Sequence, residues 1–80
     1  NIFDFIELTP THSLYEINIP VSWIGKTIRE LKVRQEHNLN IVAIRQDNDL
    51  LPAPGPDYEF ASGDIILVVG ANTDIQKILQ

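Results

Sequence analysis

The chain has 80 residues, 44% of them hydrophobic, with no cysteine and a formal net charge of −5. This composition fits one small folded domain without disulfides or thiolate metal sites, and no apolar run approaches the roughly 20 residues that cross a bilayer. The acidic excess disfavours nucleic acid and anionic membrane surfaces as partners, because both select clustered Lys and Arg.

The N-terminal part of the chain predicts one strand and leaves a second one open. Asn1 to Pro10 contains five large apolar side chains and forms either a strand or a connector. We take residues 1–12 as a connector from a preceding domain and residues 13–80 as the domain itself. Ser13 to Ile19 alternates polar and apolar side chains, which is typical of a half-buried strand, and Pro20 ends it.

A short helix is predicted after Pro20. Ile24, Ile28 and Leu31 recur at i, i+4 and i+7 and form one apolar stripe. Thr27 is the expected N-cap, and Glu30, three residues later, completes a capping box. Trp23 flanks this helix, and we expect it in the core or on a dimer surface.

The middle of the chain predicts a long strand, a short strand and a loop. Leu39 to Ile44 is β-branched and almost wholly apolar, which is typical of a central strand covered on both faces. Asp47 to Asp49 predicts a turn, and Leu50-Leu51 a short strand that Pro52 ends. The three prolines between Pro52 and Pro56 predict a stiff loop.

The last part of the chain predicts a strand and a helix. Ser62 to Asp64 turns the chain into a second apolar strand, Ile65 to Val69, which we expect Gly70 to end. Asn72 or Thr73 is the expected cap of a terminal helix. Three of its apolar side chains are expected to face inward: Ile75, Ile78 and Leu79.

This order of elements predicts an α+β domain with a small mixed or antiparallel sheet and two helices. A cysteine-free chain of this length buries little apolar surface alone. We therefore expect it to form a dimer.

The motif that most suggests an enzyme is Gly25-Lys26-Thr27, which matches the end of a phosphate-binding P-loop. That motif needs a glycine five positions before Gly25, where this chain has Pro20, which has no backbone N–H to offer. We interpret the three residues as a turn before the helix. No Ser–His–Asp arrangement or carboxylate pair stands out, so the chain is not predicted to be an enzyme.

Possible metal ligands are also weak. Asp47 to Asp49 lacks the alternating spacing, the glycine and the distal glutamate of a calcium loop. His12 and His37 have no companion at ligand spacing. Glu59 and Asp64 are candidates for a cation site at an interface, although Asp64 more simply caps the turn before its strand.

Taken together, an ordered set of short motifs resembles the C-terminal domain of RCK proteins, also called the TrkA-C domain. The resemblance covers the chain from about Leu14 to its end. The motifs are Ile19-Pro20, Gly25-Lys26-Thr27-Ile28, Leu31, Val33-Arg34, Asn40-Ile41-Val42-Ala43-Ile44-Arg45, Pro52-Ala53-Pro54, Gly63-Asp64 before an apolar strand, and Gly70 before a helix.

The resemblance implies a dimeric regulatory domain that is not an enzyme and holds no cofactor of its own. The family regulates potassium channels, Trk and Ktr potassium-uptake systems and some cation/proton antiporters, and in several Gram-positive members the dimer interface binds cyclic di-AMP. The implied partners are a second copy and a membrane-embedded potassium or cation transporter subunit. The implied location is the cytoplasm, on the inner face of the cell membrane through that partner.

Five positions carry over from the family's cyclic di-AMP site. Ile28 and Val33 are expected to supply apolar contacts from the helix and its end. Arg34, just after the helix, is expected to face a phosphate. Asn40 is expected to hydrogen-bond the ligand, and Pro54 to pack on an adenine.

Alternatives stay open beside this interpretation. The residues alone are compatible with core positions for Ile28 and Val33, a surface cation for Arg34, a turn residue for Asn40 and a loop stiffener for Pro54. The alternative functions are an assembly module of the same fold that binds a divalent cation or no ligand, and a metabolite-sensing regulatory domain of an enzyme.

Overall fold

The computed structural model describes residues 2–79, which form one five-stranded sheet and three α-helices. The strands are β1 (Ile2–Glu7), β2 (His12–Asn18), β3 (Asn40–Gln46), β4 (Asp49–Pro52) and β5 (Ile65–Ala71). The helices are α1 (Ile28–Leu31), α2 (Val33–His37) and α3 (Asn72–Leu79), with a 3-10 turn at Val21–Trp23. The strand order is β1-β2-β5-β3-β4, and all neighbouring strands are antiparallel, which confirms the predicted α+β class.

The N-terminal segment that the sequence left open, Ile2–Glu7, forms a strand. β1 pairs with β2 along its length and forms one edge of the sheet. Ile2, Phe3, Phe5 and Ile6 remain exposed on it. The expectation that residues 1–12 connect to a preceding domain stays a prediction.

The first helical region begins as predicted and then differs. The Thr27 hydroxyl accepts a hydrogen bond from the Glu30 backbone N–H at 3.1 Å, and the Glu30 carboxylate accepts one from the Thr27 N–H at 2.9 Å. The helix then breaks at Lys32, whose φ of +49° is left-handed, and resumes as α2. Ile24 was wrongly predicted to share the helix stripe, because it precedes the helix and is exposed.

The core lies on one face of the sheet. On β2 and β5 the buried residues alternate with partly exposed ones, as a period of two requires. Trp23 is buried in this core and packs against Phe60, with ring centroids 5.5 Å apart. The cluster comprises Tyr15, Ile17, Ile19, Trp23, Val33, Leu39, Ile44, Phe60, Ile66, Val68, Ile75 and Ile78.

The opposite face of the sheet is less covered than the sequence predicted. Val42, in the strand expected to be covered on both faces, is exposed at an irregularity in the pairing between Ile41 and Ala43. Leu67, on the outer side of β5, is only partly buried. Arg45 and Glu16, from the strands on either side of β5, form an ion pair of 2.6 Å.

The junction between β5 and α3 depends on a glycine. β5 continues through Gly70, the expected end, to Ala71, and α3 begins at the next residue. A Cβ on Gly70 would lie 2.3 Å from Leu39 Cδ2, so this position admits no side chain without a shift of the core. Ile75 and Ile78 of α3 face inward as predicted.

Candidate functional site

A groove of about 280 Å³ lies between the two short helices and the loop after β4. Four of the five predicted ligand residues line it: Ile28, Val33, Arg34 and Pro54. Arg29, Gln35 and Pro56 complete the lining.

Asn40 lies beside the groove and reaches it through Arg34. The Arg34 Nη2 donates a hydrogen bond of 2.8 Å to the Asn40 Oδ1. Asn40 lines a neighbouring open depression together with Arg34, Asn38, Leu39 and Val69. Arg34 therefore lies on the border between the two surfaces.

The break at Lys32 explains how α1 and α2 share one groove. Ile28 and Val33 are five residues apart, and in a continuous α-helix they would point about 140° apart around the axis. The left-handed backbone of Lys32 redirects the chain between them. Arg34 consequently belongs to the second short helix, whereas the sequence placed it just after the first of the two predicted helices.

The proline loop is held against α1 by backbone hydrogen bonds. The Arg29 N–H donates to the Pro56 carbonyl at 2.8 Å, and the Ile28 N–H donates to the Tyr58 carbonyl at 3.2 Å. These N–H groups belong to the first turn, where a helix offers them no partner of its own. The Ala53 N–H anchors the other side of the loop to the Val42 carbonyl at 2.8 Å.

A buried carboxylate anchors the far end of the same loop. Asp64, which is 3% exposed, accepts hydrogen bonds from the Tyr58 hydroxyl at 2.7 Å, the Ala61 N–H at 2.9 Å and the Gln46 amide at 3.1 Å. Its role as the cap of the turn before β5 is thereby confirmed. Burial, followed by the hydrogen bond to Asp64, raises the pKa of Tyr58 to about 12.

Two arginine side chains line the groove, and they differ in whether a carboxylate is paired with them. Arg29 Nε lies 3.0 Å from the Asp57 carboxylate in a solvent-exposed ion pair. Within residues 2–79, Arg34 has no carboxylate at ion-pair distance and is exposed. Arg34 is the cation best placed to meet an anionic ligand.

The backbone around Gly25-Lys26-Thr27 is occupied by internal hydrogen bonds. The Gly25 N–H donates to the Phe60 carbonyl at 2.9 Å, and the Lys26 N–H donates to the Trp23 carbonyl at 3.0 Å. Thr27 uses its N–H in the capping box. These donors do not form a phosphate cradle, in agreement with the interpretation of the motif as a turn.

The sequence missed part of the lining. Gln35 and Pro56 were not predicted as site residues, because α2 was not predicted and Pro56 was assigned only a stiffening role. Arg34 and Pro54, which lie beside them in the sequence and were predicted as site residues, were the signal that could have identified them. The role of Tyr58 in fixing the loop was missed as well, since it depends on contacts with Gln46 and Asp64.

The lining combines aliphatic and proline surface with the guanidinium groups of Arg29 and Arg34. Such a surface suits a ligand that has both flat apolar rings and an anionic group. Among residues 2–79, no group of three or more His, Asp or Glu side chains is arranged to hold a metal ion. Nor does any helix in that range have the length and apolar character needed to cross a membrane.

Comparison with known proteins agrees with this architecture. The chain is 34% identical over 77 residues to the Ktr system potassium uptake protein C of Bacillus subtilis (strain 168), covering 96% of the chain and 35% of that protein. It thus spans about a third of the relative's length.

Two solved structures share the fold. One is the RCK C domain of the potassium transport protein KtrA in complex with cyclic di-AMP, with a TM-score of 0.78 and 27% identity over 82% of this chain and 78% of that one. The other is the RCK_C domain dimer of Streptococcus agalactiae BusR, also in complex with cyclic di-AMP, with a TM-score of 0.69 and 32% identity over 82% of this chain and 88% of that one.

The family match covers most of the described structure. The profile of the TrkA-C domain matches residues 14–80, from β2 to the end of the chain. β1 precedes the matched range and adds one edge strand to the sheet, beside β2. The chain therefore belongs to the TrkA-C domain family, also known as RCK C domains.

Proposed function

We propose that this chain is the ligand-binding regulatory domain of a bacterial potassium uptake or cation transport protein, and that it senses cyclic di-AMP at a homodimer interface. It acts without catalysis. Its parent protein lies in the cytoplasm, against the inner face of the membrane that holds the transporter subunit.

The observation that carries the proposal is the convergence of the five positions. Ile28, Val33, Arg34 and Pro54 come from three different segments and line one groove, and Asn40 is hydrogen-bonded to Arg34. If these residues had only structural roles, they would not need to line a common groove. Only Val33 among the five is fully buried.

The size of the groove supports a site completed by a second copy. At about 280 Å³ it lies just below the roughly 300–1,000 Å³ of typical small-molecule sites. Two such grooves related by two-fold symmetry fall within that range. Cyclic di-AMP has the same symmetry, so each half can meet the same residues of one subunit.

The local charge favours the ligand although the net charge of −5 opposes a dianion. Exposed charges farther away than about 10 Å are largely screened at moderate salt. Arg34 of each subunit lies at the groove itself, and its fork of donors matches a phosphate.

The structural neighbours add support at the level of the family. Both the KtrA domain and the BusR dimer were solved with cyclic di-AMP bound. In the proposed mechanism the ligand binds one arrangement of two subunits more tightly than another. This difference in affinity shifts the state of the attached transporter.

Isothermal titration calorimetry tests the proposal, with cyclic di-AMP compared with ATP, AMP and divalent cations. We expect binding of cyclic di-AMP. Binding of a divalent cation alone supports the assembly-module alternative, and binding of another metabolite supports the enzyme-regulator alternative. A Kd of about 100 µM corresponds to a binding free energy of about 5.5 kcal/mol. The proposal is contradicted if about 100 µM cyclic di-AMP produces neither heat nor a shift in thermal stability.

The matched variants are Arg34→Ala and Lys77→Ala. Truncating a hydrogen-bonded charged partner costs about 2–5 kcal/mol, so Arg34→Ala is expected to weaken binding at least roughly 30-fold. Lys77→Ala removes the same charge from α3, outside the groove, and is expected to leave binding unchanged. Equal affinity of a dimeric Arg34→Ala variant and the wild type contradicts the proposed site.

A further inference from the structure

We propose that a groove formed by β1, β2 and β5 binds an amphipathic helix of another protein, whose apolar stripe is bordered by lysine or arginine. This outer groove has a volume of about 200 Å³. It shares no lining residue with the groove proposed for cyclic di-AMP, and the inference does not depend on the proposed function. The lining residues are Asp4, Phe5, Ile6, Leu14, Tyr15, Glu16 and Leu67.

The floor of the outer groove is apolar and faces away from the core. Leu14 alternates along β2 with the buried Ser13 and Tyr15, so its side chain lies on the face opposite the core. Ile6 is the cross-strand partner of Leu14 on β1 and is 58% exposed. Leu67, on the outer side of β5, is only partly buried. Covering these three aliphatic side chains with another apolar surface is favourable in water.

Two carboxylates stand opposite each other at the outer groove. Asp4 on β1 and Glu16 on β2 are cross-strand partners, an arrangement in which like charges destabilise a sheet. Arg45 neutralises Glu16 through their ion pair, but within residues 2–79 Asp4 has no cationic side chain at ion-pair distance. Residues 1–25 contain three carboxylates and no lysine or arginine. The groove therefore has an uncompensated negative charge beside its apolar floor, which suits a partner that brings a cation.

The free edge of β1 is poorly suited to the addition of another strand. The Phe5 N–H donates to the Asp4 carboxylate at 2.8 Å, so this backbone donor already has a partner. The pairing of β1 with β2 is also irregular between Ile2 and Asp4. Charged side chains and irregular pairing both protect an edge strand from pairing with another chain. A partner is therefore expected to lie across the face of the sheet and not to extend it.

Charge also argues against a second copy of this chain as the occupant. A two-fold contact would bring the same face of both copies together, with Asp4 and Glu16 of one near those of the other. Such like-charge juxtaposition opposes association. A basic amphipathic helix avoids this repulsion. Its apolar residues at i, i+3 and i+4 would cover the aliphatic floor, and a lysine or arginine beside them would pair with Asp4.

Two synthetic peptides test the proposal by NMR titration of the ¹⁵N-labelled chain. One is an amphipathic leucine–lysine helix of about five turns, and the other has glutamate in place of every lysine. We expect the lysine peptide to shift the amide signals of β1, β2 and Leu67 in a saturable way, and the glutamate peptide to leave them unchanged. The proposal is overturned if the lysine peptide shifts none of these signals, if both peptides bind equally, or if the shifts fall on another acidic segment such as Asp47 to Asp49.

Two pairs of variants separate the apolar contribution from the charged one. Ile6→Ser is expected to weaken binding of the lysine peptide about ten-fold, whereas Leu50→Ser, at a similarly exposed position of β4, should leave it unchanged. Asp4→Asn is expected to weaken binding about 1.4- to five-fold. Glu7→Gln makes the same change of charge on β1, but Glu7 is paired with the buried Ser13 and belongs to the other face. Equal losses within either pair indicate unspecific attraction to the chain and overturn the proposed site.

A measurement without peptide tests the charge imbalance itself. Asp4→Asn removes the repulsion from Glu16 and keeps an oxygen that can accept the hydrogen bond of the Phe5 N–H. Urea unfolding is therefore expected to show a folding equilibrium constant that is raised about 1.4- to five-fold. The gain should fall as salt increases. An unchanged or lowered stability of Asp4→Asn overturns the argument for a cationic partner.

Discussion

The hydroxyl of Tyr58 donates a 2.7 Å hydrogen bond to the buried carboxylate of Asp64, and the Tyr58 carbonyl accepts one from the first turn of α1. The Tyr58 N–H in addition donates to the Gly55 carbonyl at 3.1 Å. Tyr58 therefore joins the base of β5 to the proline loop and to one wall of the groove. Its side chain supports the site without touching it.

Tyr58→Phe is expected to destabilise the fold by about 1–3 kcal/mol, because it leaves a buried carboxylate without one of its donors. Urea unfolding measures the change. Tyr15→Phe is the matched control, since the Tyr15 hydroxyl donates to the neutral amide oxygen of Asn72 at 3.1 Å, and its loss costs less. A larger loss for Tyr15→Phe than for Tyr58→Phe contradicts the importance of the buried carboxylate.

The raised pKa of Tyr58 predicts a pH dependence at alkaline pH. The folded pKa of about 12 lies above the ordinary value of 10.0, so the folded state favours the protonated phenol. Its stabilising contribution is complete below pH 10.0 and is lost as the pH rises through about 12. The difference in unfolding free energy between wild type and Tyr58→Phe should shrink over that range. A constant difference contradicts the assignment.

Asp57→Asn is expected to strengthen binding of cyclic di-AMP by about 1.4- to five-fold, because an exposed ion pair of about 0.2–1 kcal/mol no longer holds Arg29. The gain should fall as salt increases. Asp49→Asn makes the same charge change at the start of β4 and controls for net charge. Weaker binding by Asp57→Asn, or an equal gain in both variants, contradicts a local role for Arg29.

Thr27→Ala is expected to destabilise the fold by about 1 kcal/mol through loss of the N-cap. Thr73→Ala, at an exposed position in α3, is the control and should have little effect. An equal effect of both threonine changes in denaturant unfolding contradicts the cap.

The other half of the capping box depends on pH. The hydrogen bond from the Thr27 backbone, followed by the hydrogen bond with the Thr27 hydroxyl, lowers the pKa of Glu30 below 4.5. The stability that Glu30 adds is therefore present above pH 4.5 and is lost as the pH falls through the lowered pKa.

The chain is expected to sediment as a homodimer at tens of micromolar. It is short, and large apolar side chains remain exposed on β1, on β4 and at Val42. Sedimentation equilibrium decides the point. A single species of monomer mass at that concentration contradicts both this prediction and the proposed interface site.

The sequence predicted local features better than contacts between distant segments. The capping box of Thr27 and Glu30 was readable because both partners lie within one helical turn. The break after α1 was not, because it falls on Lys32, a residue that seldom adopts a positive φ, where a glycine would have given a signal. The period of two in β2 predicted its buried side, whereas the apolar run of β3 gave no indication that Val42 would be exposed.

The candidate site shows the same limit. Family resemblance named five positions, but residue patterns alone gave no reason for Pro54 to face Ile28. The proline loop lies against α1 because the first turn of α1 donates backbone hydrogen bonds to Pro56 and Tyr58. The link between Arg34 and Asn40 likewise spans a helix and a strand that a linear reading treats separately.

The central place of β5 has a consequence for how the domain is made. β5 comes after the other four strands in the chain, yet it lies between β2 and β3 and is the strand that joins the two hairpins into one sheet. Before it emerges from the ribosome, β1-β2 and β3-β4 are two isolated hairpins, which are marginally stable in water. β5 must therefore be synthesised before the sheet of this domain can form, and the apolar strands that precede it are exposed to chaperones until then.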